Sequence, residues 1–393
     1  MLMSIAYIFI IGFFTGWICK KLHLPSLIGM ILTGIIIGPY TLNLLDKSVL
    51  DISSELRQIA LIIILTRAGL SLDVEDLKKV GRPAFLMCFV PACLEIIGMV
   101  ILAPRLLGMN TIDSLIMGSV IAAVSPAVIV PKMLKIMKEG YGTKKSIPQL
   151  ILAGASVDDV FVIVMFSAFT GLAKGDSISA FSFLKIPVSL ITGILAGIIA
   201  GYIIIKIFKS IKIGGEVKTI ILLSAAFIMV SNEDTISSMI PFSALIAVMI
   251  TGIVIQRKER NQAIELSEKF NHLWVAAEVL LFVLVGASVD MSYAFAEGIN
   301  AVILIFGVLI FRSIGVVISL IGTELNRRER IFCIFSYLPK ATVQAAIGGV
   351  PLAMGLSCGN RVLTMAVLAI LITAPLGAFL IERNYNRLLE KNR

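Results

Sequence analysis

The chain has 393 residues, of which 58% are hydrophobic and 15% are charged, and its formal net charge is +9. The mean hydropathy is +0.99. A water-soluble protein of this length would not be so apolar, so the composition excludes a soluble globular protein and indicates an integral membrane protein.

A membrane-spanning helix needs about 20 mostly apolar residues. Thirteen stretches meet this requirement, and they are too long and too uniformly apolar for the strands of a barrel. The sequence therefore predicts an all-α membrane protein with 13 transmembrane helices. In chain order the spans are 2–19, 25–44, 56–72, 83–104, 111–131, 148–170, 184–205, 217–231, 240–256, 272–289, 299–321, 331–354 and 361–381.

The lysines and arginines test this topology. Of the 34 in the chain, 24 fall in the odd-numbered connections and the C-terminal tail, 3 fall in the N-terminus and even-numbered connections, and the other 7 lie within the spans. Cytoplasmic loops carry an excess of these residues. We therefore expect a multi-pass plasma-membrane protein with its N-terminus outside and its C-terminus in the cytoplasm. The positive charge suits anionic lipid and gives no support to nucleic-acid binding.

Two adjacent carboxylates, Asp158 and Asp159, lie inside the sixth span. A charge at the bilayer centre costs at least ~2.5–3.5 kcal/mol on insertion scales. Two neighbouring acids also repel each other, so both stay ionised only if something positive binds them. Because neighbours on a helix point about 100° apart, both side chains cannot face one ion equally. The pair predicts ion binding, with one carboxylate coordinating and the other held by a basic partner.

Two spans have the composition of interrupted helices. The fifth, MGSVIAAVSPAVIVPKML, contains Pro126 and Pro131, and the twelfth, IFSYLPKATVQAAIGGVPLAMG, contains Pro339, Pro351 and a Gly-Gly pair. A proline inside a helix removes a hydrogen bond and clashes one turn back. Broken backbone at membrane depth must be buried in protein or line a cavity. A simple proline kink is the alternative for each span taken alone.

The positions of these two spans favour the interrupted form. They are seven spans apart, so the predicted topology makes them run in opposite directions. A pair of interrupted helices in corresponding places of two inverted halves indicates a transporter binding site. Spans four to six then form one repeat and spans eleven to thirteen the other.

Three further charged residues lie within the predicted repeats. Glu95 is in span four and Arg312 is in span eleven, which are equivalent helices of the two halves. Arginine stays protonated in proteins, so a buried Arg312 needs an acid, and Glu95 is the natural partner. A purely structural ion pair is the alternative. Lys340 lies beside the break of span twelve, where it could pair with Asp158, charge a cavity or extend to the membrane surface.

At these residues the chain resembles the monovalent cation/proton antiporters, and among them the NHA-type sodium/proton exchangers. The resemblance covers nearly the whole chain. The runs that carry it are TRAGLSLD (66–73), PACLE (91–95), AAVSPAVIVP (122–131), the Asp158-Asp159 pair, LLFVLVGASV (280–289) and LPKATVQAAIG (338–348).

The resemblance implies a homodimer in which a mobile core moves like an elevator against a dimer domain. The implied regions are 1–72 and 217–289 for the dimer domain, 184–205 for a linker helix, and 83–170 and 299–381 for the core. It also implies that Asp159 binds the ion with Asp158 as its neighbour, that Arg312 pairs with Glu95, and that Pro126 and Lys340 lie where the broken helices cross. Many electrogenic relatives have a lysine where this chain has Arg312, which favours an electroneutral exchanger.

The prediction is a secondary antiporter, not an enzyme, that exchanges Na⁺ or Li⁺ for H⁺ without a cofactor. Free backbone carbonyls, with the hydroxyl of Ser125 or Thr342, are expected to complete an oxygen shell around the cation. Two alternatives stay open. One is a K⁺/H⁺ antiporter or a gated K⁺ efflux system, and the other is a sodium-coupled organic-anion symporter of similar architecture.

Overall fold

The computed structural model describes residues 1–22, 24–72, 81–173, 180–211 and 213–392. These residues are almost entirely helical. The one β-type contact among them is an isolated bridge between Tyr141 and Lys391. The predicted all-α fold is therefore confirmed.

Nineteen helices occur in the described residues. The first ten are α1 (Leu2–Lys21), α2 (Ser26–Ile37), α3 (Lys47–Asp51), α4 (Ser53–Ser71), α5 (Arg82–Met87), α6 (Val90–Leu107), α7 (Thr111–Ile121), α8 (Pro126–Lys138), α9 (Ile147–Ala173) and α10 (Ala180–Ser210). The others are α11 (Gly215–Ser231), α12 (Glu233–Ser237), α13 (Ala244–Lys258), α14 (Arg260–Ala287), α15 (Met291–Ser319), α16 (Arg327–Ser336), α17 (Thr342–Ile347), α18 (Val350–Ala353) and α19 (Gly359–Leu388).

Eight helical segments in the described part of the chain are long and apolar enough to cross a membrane. They are Leu2–Lys21, Arg82–Leu107, Thr111–Lys138, Ile147–Ala173, Ile191–Ser210, Arg260–Ala287, Glu297–Ser319 and Gly359–Leu388. Every predicted span overlaps at least one helix, but the remaining helices are shorter or more polar. The multi-pass character is therefore confirmed, and the count of 13 stays a prediction.

The chain forms two compact units. The first comprises Met1–Ser54, Asp76–Ala173 and Val279–Arg393, and the second comprises Glu55–Glu75 and Lys174–Glu278. The predicted core repeats both fall in the first unit, together with the first two predicted spans. These boundaries differ from the expected division between dimer domain and core. The expected division separates parts that move relative to each other, and it stays a prediction.

In the first unit, α6 packs along α15. Gly98 of α6 faces the ring of Phe311, and a β-carbon at Gly98 would collide with that ring. Small residues at such an interface let two membrane helices approach closely. The close packing matters for function because Glu95 lies on α6 and Arg312 lies on α15.

In the second unit, α10 packs along α13. Gly193, Gly197 and Gly201 recur every four residues on one face of α10, and each lies against α13. A second glycine contact joins α4 and α13, where Gly69 faces the backbone of Met249. The same small-residue packing therefore organises both units.

The polar segment 257–270 is helical rather than a loop. A single residue, Glu259, separates α13 from α14, which then runs without interruption to Ala287. Of its large apolar side chains, Leu266 and Phe270 are buried in protein and Ile264 is exposed. The segment is the amphipathic beginning of a long helix, because its apolar face has protein to cover it.

Candidate functional site

Two helices are interrupted where the sequence indicated. In the first, α7 ends at Ile121 and α8 begins at Pro126, so residues 122–125 form the first break. Proline is well suited to the first position of a helix, because no hydrogen bond is needed there. Pro126 therefore starts a half-helix, whereas Pro131 lies inside α8 and interrupts nothing.

The second break comprises residues 337–341, between α16 and α17, and it contains Pro339 and Lys340. The two breaks touch: the backbone N–H of Ser125 donates to the carbonyl of Pro339 at 2.8 Å. Thr342 opens α17 directly after the second break and is buried. The predicted crossing of two interrupted helices is thus present, with Pro126 and Lys340 beside it.

Arg312 connects the two breaks. Its Nε donates to the carbonyl of Tyr337 at 2.6 Å, and its Nη1 donates to the carbonyl of Ala122. Both acceptors lie at the C-terminal ends of half-helices, which carry partial negative charge. The side chain is fully buried. Its guanidinium also lies 5.3 Å from the centre of the Tyr337 ring, and Tyr337 fits against α9 because position 154 is a glycine.

Arg312 also binds two acids. Its Nη1 lies 2.8 Å from Oε2 of Glu95, and its Nη2 lies 3.0 Å from Oδ2 of Asp158. The same Glu95 oxygen accepts from the ammonium of Lys340 at 2.6 Å. The expected Arg312–Glu95 pair is present. The suggested Lys340–Asp158 pair is absent from these contacts, because Arg312 already occupies Asp158 and Lys340 reaches Glu95 instead.

The two adjacent aspartates have different surroundings. Asp158 is fully buried, and its Oδ2 accepts from the backbone N–H of Val124 at 2.8 Å as well as from Arg312. Asp159 is less completely buried. Its Oδ1 is nevertheless shielded and has no hydrogen-bond partner among the residues that the structure describes. Oδ1 of Asp158 is likewise buried without a partner in the described residues, so each aspartate retains one oxygen for another ligand. The difference is that donors hold the other oxygen of Asp158.

Three carbonyls at or beside the first break accept hydrogen bonds from side chains and are not free. Arg312 takes the carbonyl of Ala122, and the side-chain amide of Gln344 donates to the carbonyls of Ile121 and Ala123 at 3.0 and 2.8 Å. Ser125 remains a candidate ligand, because its buried hydroxyl has no partner in the described part of the chain.

Gln344 was not identified from the sequence. Its only signal was its place in the polar run KATVQ immediately after the second break. A neutral amide in an apolar helix does not require a partner of opposite charge, so charge matching could not single it out.

The site has an uneven charge balance. In their ionised forms Arg312 and Lys340 supply two positive charges, whereas Glu95, Asp158 and Asp159 supply three negative charges. With all five groups in their usual ionised forms, the cluster carries one net negative charge. One monovalent cation or one proton would neutralise it, and a neutral cluster is the form that an apolar environment favours.

A multi-helix membrane protein with two interrupted helices crossing at a buried charged cluster has the architecture of a secondary transporter. The family model "Sodium/hydrogen exchanger, transmembrane" matches residues 8–383. The chain therefore belongs to the sodium/hydrogen exchanger family, and it is a transporter rather than an enzyme. The resemblance to monovalent cation/proton antiporters is confirmed.

Curated relatives agree with this assignment. Human sodium/hydrogen exchanger 9B2 is 33% identical over 382 residues, covering 94% of this chain and 70% of the relative. Human sodium/hydrogen exchanger 9B1 is 29% identical over 373 residues, covering 91% and 71%. Among solved structures, the sodium proton antiporter MjNhaP1 from Methanocaldococcus jannaschii superposes with a TM-score of 0.86 at 21% identity, covering 98% of this chain and 99% of that one. That likeness supports the fold.

Proposed function

We propose that this chain exchanges Na⁺ or Li⁺ for H⁺, and that the cation and the proton compete for Asp159. The observation that carries the proposal is the contrast between the two aspartates. Both carboxylates keep a shielded Oδ1 without a partner in the described residues, but Asp158 is held through its Oδ2 by Arg312 and by the Val124 N–H, whereas no such donor to Asp159 is seen there. Carboxylate and hydroxyl oxygens suit a hard cation, so Asp158 and Ser125 are the candidates to complete the shell.

Competition at one carboxylate is sufficient for coupled exchange. A proton and a monovalent cation each bring one positive charge, and either one brings the ionised cluster to zero. The occupied site then crosses the apolar barrier far more readily than the unoccupied site, because an uncompensated charge in the membrane is costly. The protein therefore returns only when loaded, and the cycle is one Na⁺ for one H⁺ with no net charge moved.

We further propose that the broken-helix repeats, 83–170 and 299–381, move as an elevator against a dimer domain formed by 1–72 and 217–289, with 184–205 as the linker. The inverted placement of the two breaks supports this assignment. The lysine and arginine distribution supports a plasma-membrane orientation with the C-terminus in the cytoplasm. The exposed apolar side chains of α1, among them Phe13, Phe14 and Trp17, suit lipid or a second copy of the chain.

Cation-dependent dissipation of a pH gradient in everted membrane vesicles tests the proposal. We expect Na⁺ and Li⁺ to dissipate the gradient and Asp159→Asn to abolish the response while the protein is still inserted and folded. Asp51→Asn, a change at an exposed aspartate that ends α3, is the matched control and should behave as the parent. A response to K⁺ alone would show that K⁺ is the transported cation in place of Na⁺ or Li⁺. Na⁺ exchange at the parental level in Asp159→Asn would refute the role of that carboxylate.

A further inference from the structure

Gln344 makes two neutral hydrogen bonds at the crossing. The residue lies on α17, three positions after the second break ends, and its side chain is fully buried. Its Nε2 donates to the carbonyl of Ile121 at 3.0 Å and to that of Ala123 at 2.8 Å. One amide from the second interrupted helix therefore satisfies two carbonyls at the end of α7.

The orientation of this amide follows from its neighbours. An amide group has two donor hydrogens on nitrogen and an acceptor oxygen, and the network decides which end points where. Turning the amide over would set its oxygen against two carbonyl oxygens. The nitrogen must therefore face Ile121 and Ala123, which leaves Oε1 buried and without a partner in the described residues. A buried acceptor without a partner has an energetic cost, which offsets part of what the two donated bonds contribute to stability.

The Gln344 contact falls on one particular peptide group. The carbonyl of Ala123 and the N–H of Val124 belong to the same planar unit, and in a trans peptide they point to opposite sides. Gln344 holds the carbonyl side, and Oδ2 of Asp158 accepts from the N–H side at 2.8 Å. Rotation of this peptide would break both contacts. This peptide lies in the break between α7 and α8, where the regular hydrogen bonds of the two helices do not fix its plane.

We propose that Gln344 is a positioning residue for the transported cation: by fixing the 123–124 peptide it fixes the carboxylate of Asp158. Because Val124 and Arg312 hold Oδ2, the Oδ1 oxygen of Asp158 is kept in one fixed orientation. Gln344 need not touch the cation to do this. The inference rests on the proposed exchange of Na⁺ at the two aspartates, and it assigns part of the affinity for that ion to a residue on the opposite interrupted helix.

The test compares Gln344→Met with the parent protein in proteoliposomes. Methionine matches the length of glutamine and donates no hydrogen bond. We expect the KM for Na⁺ to rise about tenfold, equivalent to about 1.4 kcal/mol, with the maximal rate within about threefold of the parent. The smaller Li⁺ needs a more exact shell, so its KM should rise more than that of Na⁺. Amide hydrogen exchange should increase in the peptide that contains Val124.

Gln149→Met is the matched control, because Gln149 lies in the first turn of α9 and also has a buried Oε1 without a partner in the described residues, but does not contact the break. It should leave both KM values unchanged. If Gln344→Met does not purify as a folded protein, Gln344→Asn is measured in its place. Asparagine carries the same amide on a side chain that is one methylene shorter, so the amide is moved away from the break.

An unchanged KM in the Gln344 variant, a fall in maximal rate alone, or misfolding of both Gln344 variants would overturn the inference and leave Gln344 with a purely structural role. These outcomes are distinct from a failure of the proposed function. If the proposed function were wrong, the parent protein itself would show no Na⁺-dependent exchange.

Discussion

The two breaks that cross at the centre of the site differ in what they contain. Residues 122–125 include no ionisable side chain, and every charge or amide that contacts them comes from another helix. Residues 337–341 include Lys340, which brings its own charge to the cluster. The first break is a backbone scaffold, and the second is a source of charge.

The two breaks therefore have different roles in the site. The peptide groups of the first break orient Asp158 through the N–H of Val124. They carry no net charge, so they position this carboxylate without changing the net charge of the cluster. The second break sets that net charge, because Lys340 is one of only two cations in the cluster described above. Arg312 contacts both breaks, so changes at Arg312, at Lys340 and outside both breaks should have successively smaller effects.

The largest effect is expected from breaking the Arg312–Glu95 pair. Removing one partner of a buried ion pair leaves an uncompensated charge, at a typical cost of about 3–5 kcal/mol. Arg312→Gln should be more damaging than Glu95→Gln, because it also releases the carbonyls of Ala122 and Tyr337. The free energy of unfolding in detergent measures both changes. The double variant should cost less than the sum, and additive effects would show that the two residues do not interact.

A smaller effect is expected from Lys340→Gln, because Glu95 keeps its contact with Arg312. The change removes one positive charge, so a site occupied by one cation stays negative. An uncompensated charge at the bilayer centre costs at least ~2.5–3.5 kcal/mol, which predicts an exchange rate lower by on the order of 100-fold.

Recordings on a solid-supported membrane sharpen this prediction. The parent protein should give no Na⁺-evoked current, because its cycle moves no net charge. A clear parental current that reverses with the Na⁺ gradient would contradict the electroneutral cycle.

The smallest effect concerns an ion pair outside both breaks. Lys145, in the connection between α8 and α9, lies 2.9 Å from the buried carboxylate of Glu329. This hydrogen bond raises the pKa of Lys145 above its usual value. The stabilisation is complete below the unfolded pKa of about 10.4 and is lost as the pH rises through the higher folded pKa.

Lys145→Gln should therefore lower the free energy of unfolding by about 0.2–1 kcal/mol near neutral pH. Glu329 keeps its contact with the N–H of Asn326, so it is not left alone. Thermal unfolding of both proteins across pH should show the difference disappearing under strongly alkaline conditions. A difference that persists there would exclude the ion pair as its cause.

The sequence predicted much of this site because charges and prolines are conspicuous in apolar helices. Each charged residue in a membrane span needs a partner, which led directly to Glu95, Arg312 and the paired aspartates. Prolines located both breaks to within a few residues. Pro131 was misleading, since a proline can be accommodated inside a membrane helix when neighbouring groups satisfy the freed carbonyl.

Partner choice and neutral contacts were not predictable. From the sequence, Asp158 was the acid suggested for Lys340, and only the packed structure shows that Arg312 binds Asp158 and that Lys340 shares Glu95 with Arg312. Gln344 and Thr373, which accepts from the backbone N–H of Lys340 at 3.0 Å, carry no charge that demands compensation. Their roles depend on which face of each helix turns inward, and an almost uniformly apolar helix gives little periodic signal for that.

The central claim is that one Na⁺ and one proton compete for Asp159, and the KM for Na⁺ measured across pH in proteoliposomes tests it most directly. At pH values where Asp159 is mostly protonated, the KM for Na⁺ should rise about tenfold for each unit by which the pH falls, as competition with a single proton requires. The maximal rate at saturating Na⁺ should change much less. A Na⁺ KM that stays constant across the pH range in which activity declines would contradict the account.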